Sequence, residues 1–173
     1  MARVKIKHRT GKDLFEFMQR SLIDTKLAND WALEEYVTIN DHPLNAEKIA
    51  SMNSTLYIQL VSKVFSLSAP ALVENNIGIQ YGDILIKTKP LHRDFVTELQ
   101  TFTQRNKNNN VALLKYCLVK FFDISIVEIE QLPYQLVGGM ITKVNFFLES
   151  LSTTESEFDI DDSWIENAQE VIG

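Results

Sequence analysis

Between Pro90 and Leu151 the chain carries three successive apolar stripes at helical spacing, and these constrain the fold more than any other feature. Leu91, Phe95, Leu99 and Phe102 recur every three or four residues, as on one face of a helix. After the run Asn106-Lys107-Asn108-Asn109-Asn110, which favours caps and turns, comes a second stripe over 111–122. It holds Leu113, Leu114, Cys117, Leu118, Phe121 and Phe122, is apolar around much of its circumference, and is expected at the centre of the fold. The third, over 134–151, places Val137, Ile141, Val144, Phe147, Leu148 and Leu151 on one side. Ser125-Ile126-Val127-Glu128 has the form of a capping box and predicts a short helix ended by Leu132-Pro133.

The first half mixes periods. Val4 and Ile6 alternate with Arg3, Lys5 and Lys7, which predicts an edge strand. A helix is expected from about Asp13, with Leu14, Phe17, Met18 and Leu22 on its core face. Residues 25–42 give conflicting signals: Glu34-Glu35 suits a helix, Tyr36-Val37-Thr38-Ile39 suits a strand, and Asn40 to Pro43 suits a turn. Asn45 predicts a cap, and Leu56, Leu60, Val61, Val64 and Phe65 predict a helix over about 54–65. Residues 76–81 and 84–88 alternate around Gly82-Asp83 and predict an antiparallel hairpin. The expectation is an α+β fold: one predominantly helical domain over residues 1–151 with a small antiparallel β-hairpin, then an acidic C-terminal tail over 152–173.

Charge is unevenly placed. The net charge is −6, but residues 152–173 hold seven acids and no Lys or Arg, leaving the first 151 residues at +1. Within the tail, Phe158, Ile160, Asp161, Asp162, Trp164 and Ile165 combine apolar anchors with carboxylates, a composition suited to docking in a groove on a partner protein. At the other end Arg3, Lys5, Lys7, Arg9 and Lys12 form a basic cluster, a candidate contact for a host protein or for nucleic acid. The acidic total, with a sequence pI near 5.1, argues against nucleic acid as the partner. Gly138-Gly139 inside the last helix costs about 1 kcal/mol per residue against Ala, so it marks close approach of a neighbouring helix or a hinge.

Signals for chemistry are absent from the sequence. His8, His42, His92 and Cys117 lie in separate segments without metal-ligand spacing. There is no Gly-x-Ser-x-Gly elbow and no phosphate-binding loop, and Asp159-Ile160-Asp161-Asp162 lacks the glycine and final glutamate of a calcium loop. A single Cys excludes an internal disulfide. The expectation is a protein with no enzymatic activity, no metal and no cofactor, and with no stretch of the ~20 apolar residues needed to span a membrane.

One resemblance follows from the order of these elements. Gly82-Asp83-Ile84-Leu85-Ile86-Lys87-Thr88-Lys89-Pro90-Leu91, the helix to Phe102, Val111-Ala112-Leu113-Leu114-Lys115-Tyr116-Cys117 and Ile126-Val127-Glu128-Ile129-Glu130-Gln131-Leu132-Pro133 together resemble small tail and baseplate hub assembly proteins of contractile-tailed bacteriophages. The resemblance covers about residues 80–151. It implies a structural subunit or assembly chaperone, in the host cytoplasm or the finished tail, whose partners are other phage tail or baseplate proteins. It transfers no catalytic residue. A small regulator binding through the basic amino terminus is the alternative.

Overall fold

The computed structural model describes residues 1–66, 72–74 and 77–152. It is an α+β fold dominated by helices. β1 (Val4–Ile6) leads into α1 (Gly11–Ile23) and α2 (Thr25–Tyr36), then β2 (Val37–Ile39), β3 (His42–Pro43), α3 (Ala46–Ala50) and α4 (Ser54–Val64). The second half holds β4 (Leu72–Glu74), β5 (Gly78–Tyr81), β6 (Ile84–Lys87), α5 (Phe95–Arg105), α6 (Asn110–Phe121), α7 (Ile126–Gln131) and α8 (Tyr134–Ser152). Among the described residues, two antiparallel three-stranded sheets form, in the orders β1-β2-β3 and β4-β5-β6.

The ambiguous segment 25–42 resolves into both of its competing signals. Asp24 ends α1 and caps α2, accepting the Leu27 N–H at 3.0 Å. The helix runs to Tyr36, and its last residue feeds directly into β2. Asn40 and Asp41 adopt positive φ (52° and 64°), which Asn and Asp tolerate better than most residues, and so turn β2 back into β3. The expected hairpin is present as β5–β6, turned at Gly82 with φ 58°, but β4 adds a third strand to it.

Several boundaries differ from expectation. α1 starts at Gly11, two residues before Asp13, because the Asp13 carboxylate reaches back to accept the Thr10 N–H at 2.8 Å. Within the asparagine run, Asn109 caps α6, accepting the Ala112 N–H at 3.0 Å. α5 begins at Phe95, so Leu91, expected on the same helical face, packs on the core from the preceding loop. The capping box at Ser125–Glu128 forms as expected, with the Glu128 carboxyl lowered by its bonds from the Ser125 N–H and hydroxyl.

Buried residues fall into two clusters. The larger gathers α6, α7, α8 and the β5–β6 pair around Leu118, Phe122, Ile129, Leu136, Val137, Met140 and Val144. The smaller gathers α2, α3, α4 and β2 around Leu33, Val37, Ile49, Leu60 and Val64. α1 serves both: Leu14 and Phe15 enter the larger cluster, and Phe17 packs on the smaller. Phe65 packs against both clusters. Its ring stacks on Phe17 (centroids 4.8 Å apart) and meets Tyr36 and Tyr134 edge-on at 5.6 and 5.5 Å.

Helices approach at backbone distance beside Gly11. Its N–H donates to the Leu132 carbonyl at 2.8 Å, and a Cβ there would stand 2.4 Å from the Ile129 carbonyl oxygen and 2.8 Å from Val137 Cγ2. Gly11→Ala should therefore destabilise the fold by about 1–3 kcal/mol, the cost of overpacking a rigid contact, whereas a residue added beside open space should not. Phe65→Ala should cost about 3 kcal/mol, near the lower end for losing a core phenyl. Urea denaturation of the two variants checks both values.

Candidate functional site

The amino-terminal lobe bears two adjoining clefts. Asn45 caps α3 by accepting the Lys48 N–H, and Asn53 caps α4 by accepting the Thr55 N–H, both at 2.8 Å. The short α3 thus hangs between two well-defined helix starts, and Met52 lies on the connection. One cleft, of about 390 Å³, lies between α2 and α3–α4, with Lys26, Asp30 and Glu34 on one wall and Ile49, Met52 and Tyr57 opposite. Lys26, Asp30 and Glu34 share a face because they are four residues apart on α2. The other, of about 370 Å³, is lined by Ile39, His42, Leu44, Lys48, Met52 and Leu56, with asparagines at its rim. Met52 borders both.

One polar pair in the first cleft is satisfied internally. The Tyr57 hydroxyl donates to Asp30 at 2.7 Å. Burial and that carboxylate push the phenol up to about 12, so it stays a neutral donor at physiological pH. Tyr36 follows the same logic on the other side of α2. Its hydroxyl donates to Asp13 at 2.8 Å, and burial with the nearby carboxylate raises its pKa. Cys117 is fully buried, and desolvation pushes its thiol up to about 11, which makes it a small apolar side chain rather than a nucleophile. Among the described residues, no group of three or more His, Cys, Asp or Glu converges as a metal site would require.

The basic cluster is divided by the fold. Arg9 is half-buried: its guanidinium lies 4.7 Å from the Tyr134 ring centroid, bonds the Tyr134 hydroxyl at 3.2 Å and the Lys7 carbonyl at 2.6 Å, and leaves Nε without a partner. Lys5 pairs with Asp41 across the β1–β2 sheet. Arg3, Lys7 and Lys12 remain exposed, their side chains without partners among the described residues, so the patch open to an external anion is smaller than the sequence suggests. Gly138 is buried and Gly139 half-buried within an α8 that runs unbroken from Tyr134 to Ser152, and the Thr142 hydroxyl donates to the Gly138 carbonyl at 3.0 Å. Phe158, Ile160, Asp161, Asp162, Trp164 and Ile165 lie outside the described residues.

Sequence reasoning missed a further surface. Leu22, expected in the core, is 47 % exposed, and with Ile23 (84 %) and Leu27 (63 %) it forms an apolar tip where α1 turns into α2. The turn itself carries the signal: Asp24 ends one stripe and starts the next, so the apolar residues flanking it overrun the packed part of both helices. Leu56, also expected in the core, instead lies at the border of exposure on the second cleft. Among the described residues, no helix is long and apolar enough to cross a membrane. Compared with known proteins, the chain matches no family model, no curated protein and no solved structure.

A raised phenol favours the protonated side chain in the folded state, so the stability it adds is complete below pH 10 and is lost as pH rises from 10 through 12. Tyr57→Phe should therefore weaken the fall in stability across that window. Denaturant midpoints of both proteins at pH 9 and pH 11.5 measure it.

Proposed function

We propose that this protein is a non-catalytic, protein-binding component of phage tail or baseplate assembly, acting as a structural subunit or assembly chaperone. The observation that carries the binding role is the apolar tip of the α1–α2 hairpin. Leu22, Ile23 and Leu27 present three large apolar side chains to solvent at one turn of the chain, and removing that apolar area from water would favour association. Such exposure at a rigid hairpin end suits insertion into an apolar groove of a partner. What supports the choice of partner is the order of elements over residues 80–151: a hairpin, two helices, a short capped helix ending at Leu132-Pro133 and a long final helix. That order is the pattern in which the chain resembles tail and baseplate hub proteins.

A binding role through the basic amino terminus draws less support, because Arg9 and Lys5 are engaged within the fold.

The tagged full-length chain should retrieve tail or baseplate proteins from cells assembling phage tails. Ile23→Asp with Leu27→Asp should reduce that capture at least about tenfold, as expected when a desolvated apolar anchor is replaced by charge, with an unchanged thermal midpoint. Undiminished capture by the double variant would remove the tip from the mechanism, and capture of no tail component would remove the assembly role.

A further inference from the structure

Among the described residues, β1 is an edge of its sheet and pairs with β2 alone, in the order β1-β2-β3. The register sets Val4 opposite Ile39, Lys5 opposite Thr38 and Ile6 opposite Val37. The Asn40 N–H donates to the Arg3 carbonyl at 2.8 Å, and the Lys7 N–H to the Tyr36 carbonyl at 2.9 Å, so Arg3, Lys5 and Lys7 direct their backbone groups at β2. By alternation, Val4 and Ile6 turn theirs outward, to an edge where a further strand would bond. The side chains alternate too. Ile6 packs on the smaller core, Val4 on the same face is 42 % exposed, and Arg3, Lys5 and Lys7 occupy the opposite face.

The same chain holds the complement of this strand. Arg3-Val4-Lys5-Ile6-Lys7 reads basic, apolar, basic, apolar, basic; Glu157-Phe158-Asp159-Ile160-Asp161 reads acidic, apolar, acidic, apolar, acidic. Because side chains on a strand alternate with a period of two, the two segments match when paired in either direction. The outer two carboxylates then face Arg3 and Lys7 on one side of the sheet, with Asp159 beside the Lys5–Asp41 pair, while Phe158 and Ile160 lie beside Val4 and Ile6 on the other. The lysines and arginine that repel another copy of β1 would therefore admit this acidic strand.

We infer that residues Glu157–Asp161 of one copy add as a fourth strand to the β1 edge of a second copy. Chain length favours a second copy as the source. The Tyr134 N–H at the start of α8 donates to the Arg9 carbonyl, two residues from Lys7, and α8 then runs 19 residues, about 28 Å, away from that point. The five peptide steps from Ser152 to Glu157 span at most about 17 Å. The segment's own β1 packs in the smaller core and α8 in the larger, so a short return is disfavoured and an intermolecular strand is not so limited.

Sedimentation of the full-length chain tests this with two charge-reversed variants that spare the Lys5–Asp41 pair. Arg3→Glu with Lys7→Glu makes the edge acidic, and Glu157→Lys with Asp161→Lys makes the segment basic. The wild-type chain should self-associate, and each variant alone should do so at least about tenfold more weakly, because directly opposed charges of one sign replace ion pairs. Mixed, the two variants should associate with each other, since each edge then meets a segment of opposite charge. Circular dichroism must show both variants folded; should the edge variant fail to fold, a fluorescently labelled Glu157→Lys, Asp161→Lys chain sedimented with unlabelled wild type serves instead, and its label should enter larger species through the wild-type segment on the variant's unaltered β1. A wild-type chain that stays monomeric at every concentration, or mixtures that associate no better than the variants alone, would overturn the inference.

Discussion

The ring of Phe65 holds the two halves of this molecule together. Its contacts reach Phe17 on α1, Tyr36 at the end of α2 and Tyr134 at the start of α8, so one side chain touches elements from both hydrophobic cores. Edge-on and stacked aromatic pairs contribute about 0.5–1.5 kcal/mol each beyond the area they bury. Three such pairs at one residue make it the place where the cores share their stability. Tyr134 extends the cluster to Arg9, whose guanidinium covers the ring and draws the end of β1 onto α8.

Polar groups around this junction are arranged to serve more than one element. The Asp13 carboxylate accepts the Thr10 N–H at the start of α1 and the Tyr36 hydroxyl at the end of α2. A single side chain thereby caps one helix and anchors the next, and it sits beside the aromatic cluster. Gly11, one residue from the cap, lets α1 lie against α7 and α8 at backbone distance. The fold is thus fixed near its centre, and the features with unpartnered apolar or backbone groups lie on its periphery: the α1–α2 tip, the clefts beside Met52 and the β1 edge.

Much of the larger core was legible in the sequence. The stripes over α5, α6 and α8, the Ser125 capping box and the β5–β6 turn follow from local spacing, and Cys117 reads as a core residue because it sits among apolar neighbours on α6. The smaller core was harder to read. Helix and strand signals in residues 25–42 are both present because α2 passes directly into β2, and the two positive-φ residues Asn40 and Asp41 become meaningful only once β2 and β3 are paired. Leu22 shows the limit of periodicity: it lies on the correct helical face but beyond the length of helix that its neighbours cover.

The sequence by itself determined most of the helical segments, the Ser125 capping box and how charge divides between the two ends, because helix period, capping chemistry and charge depend on residues a few positions apart. Only the tertiary structure decided what those residues meet. It turned Arg9 inward onto Tyr134 while leaving Arg3 and Lys7 on an open edge, placed the tight backbone contact at Gly11, and made Phe65 common to two cores. Each of these outcomes depends on groups far apart in the chain brought within a few ångströms, and no local pattern encodes that distance.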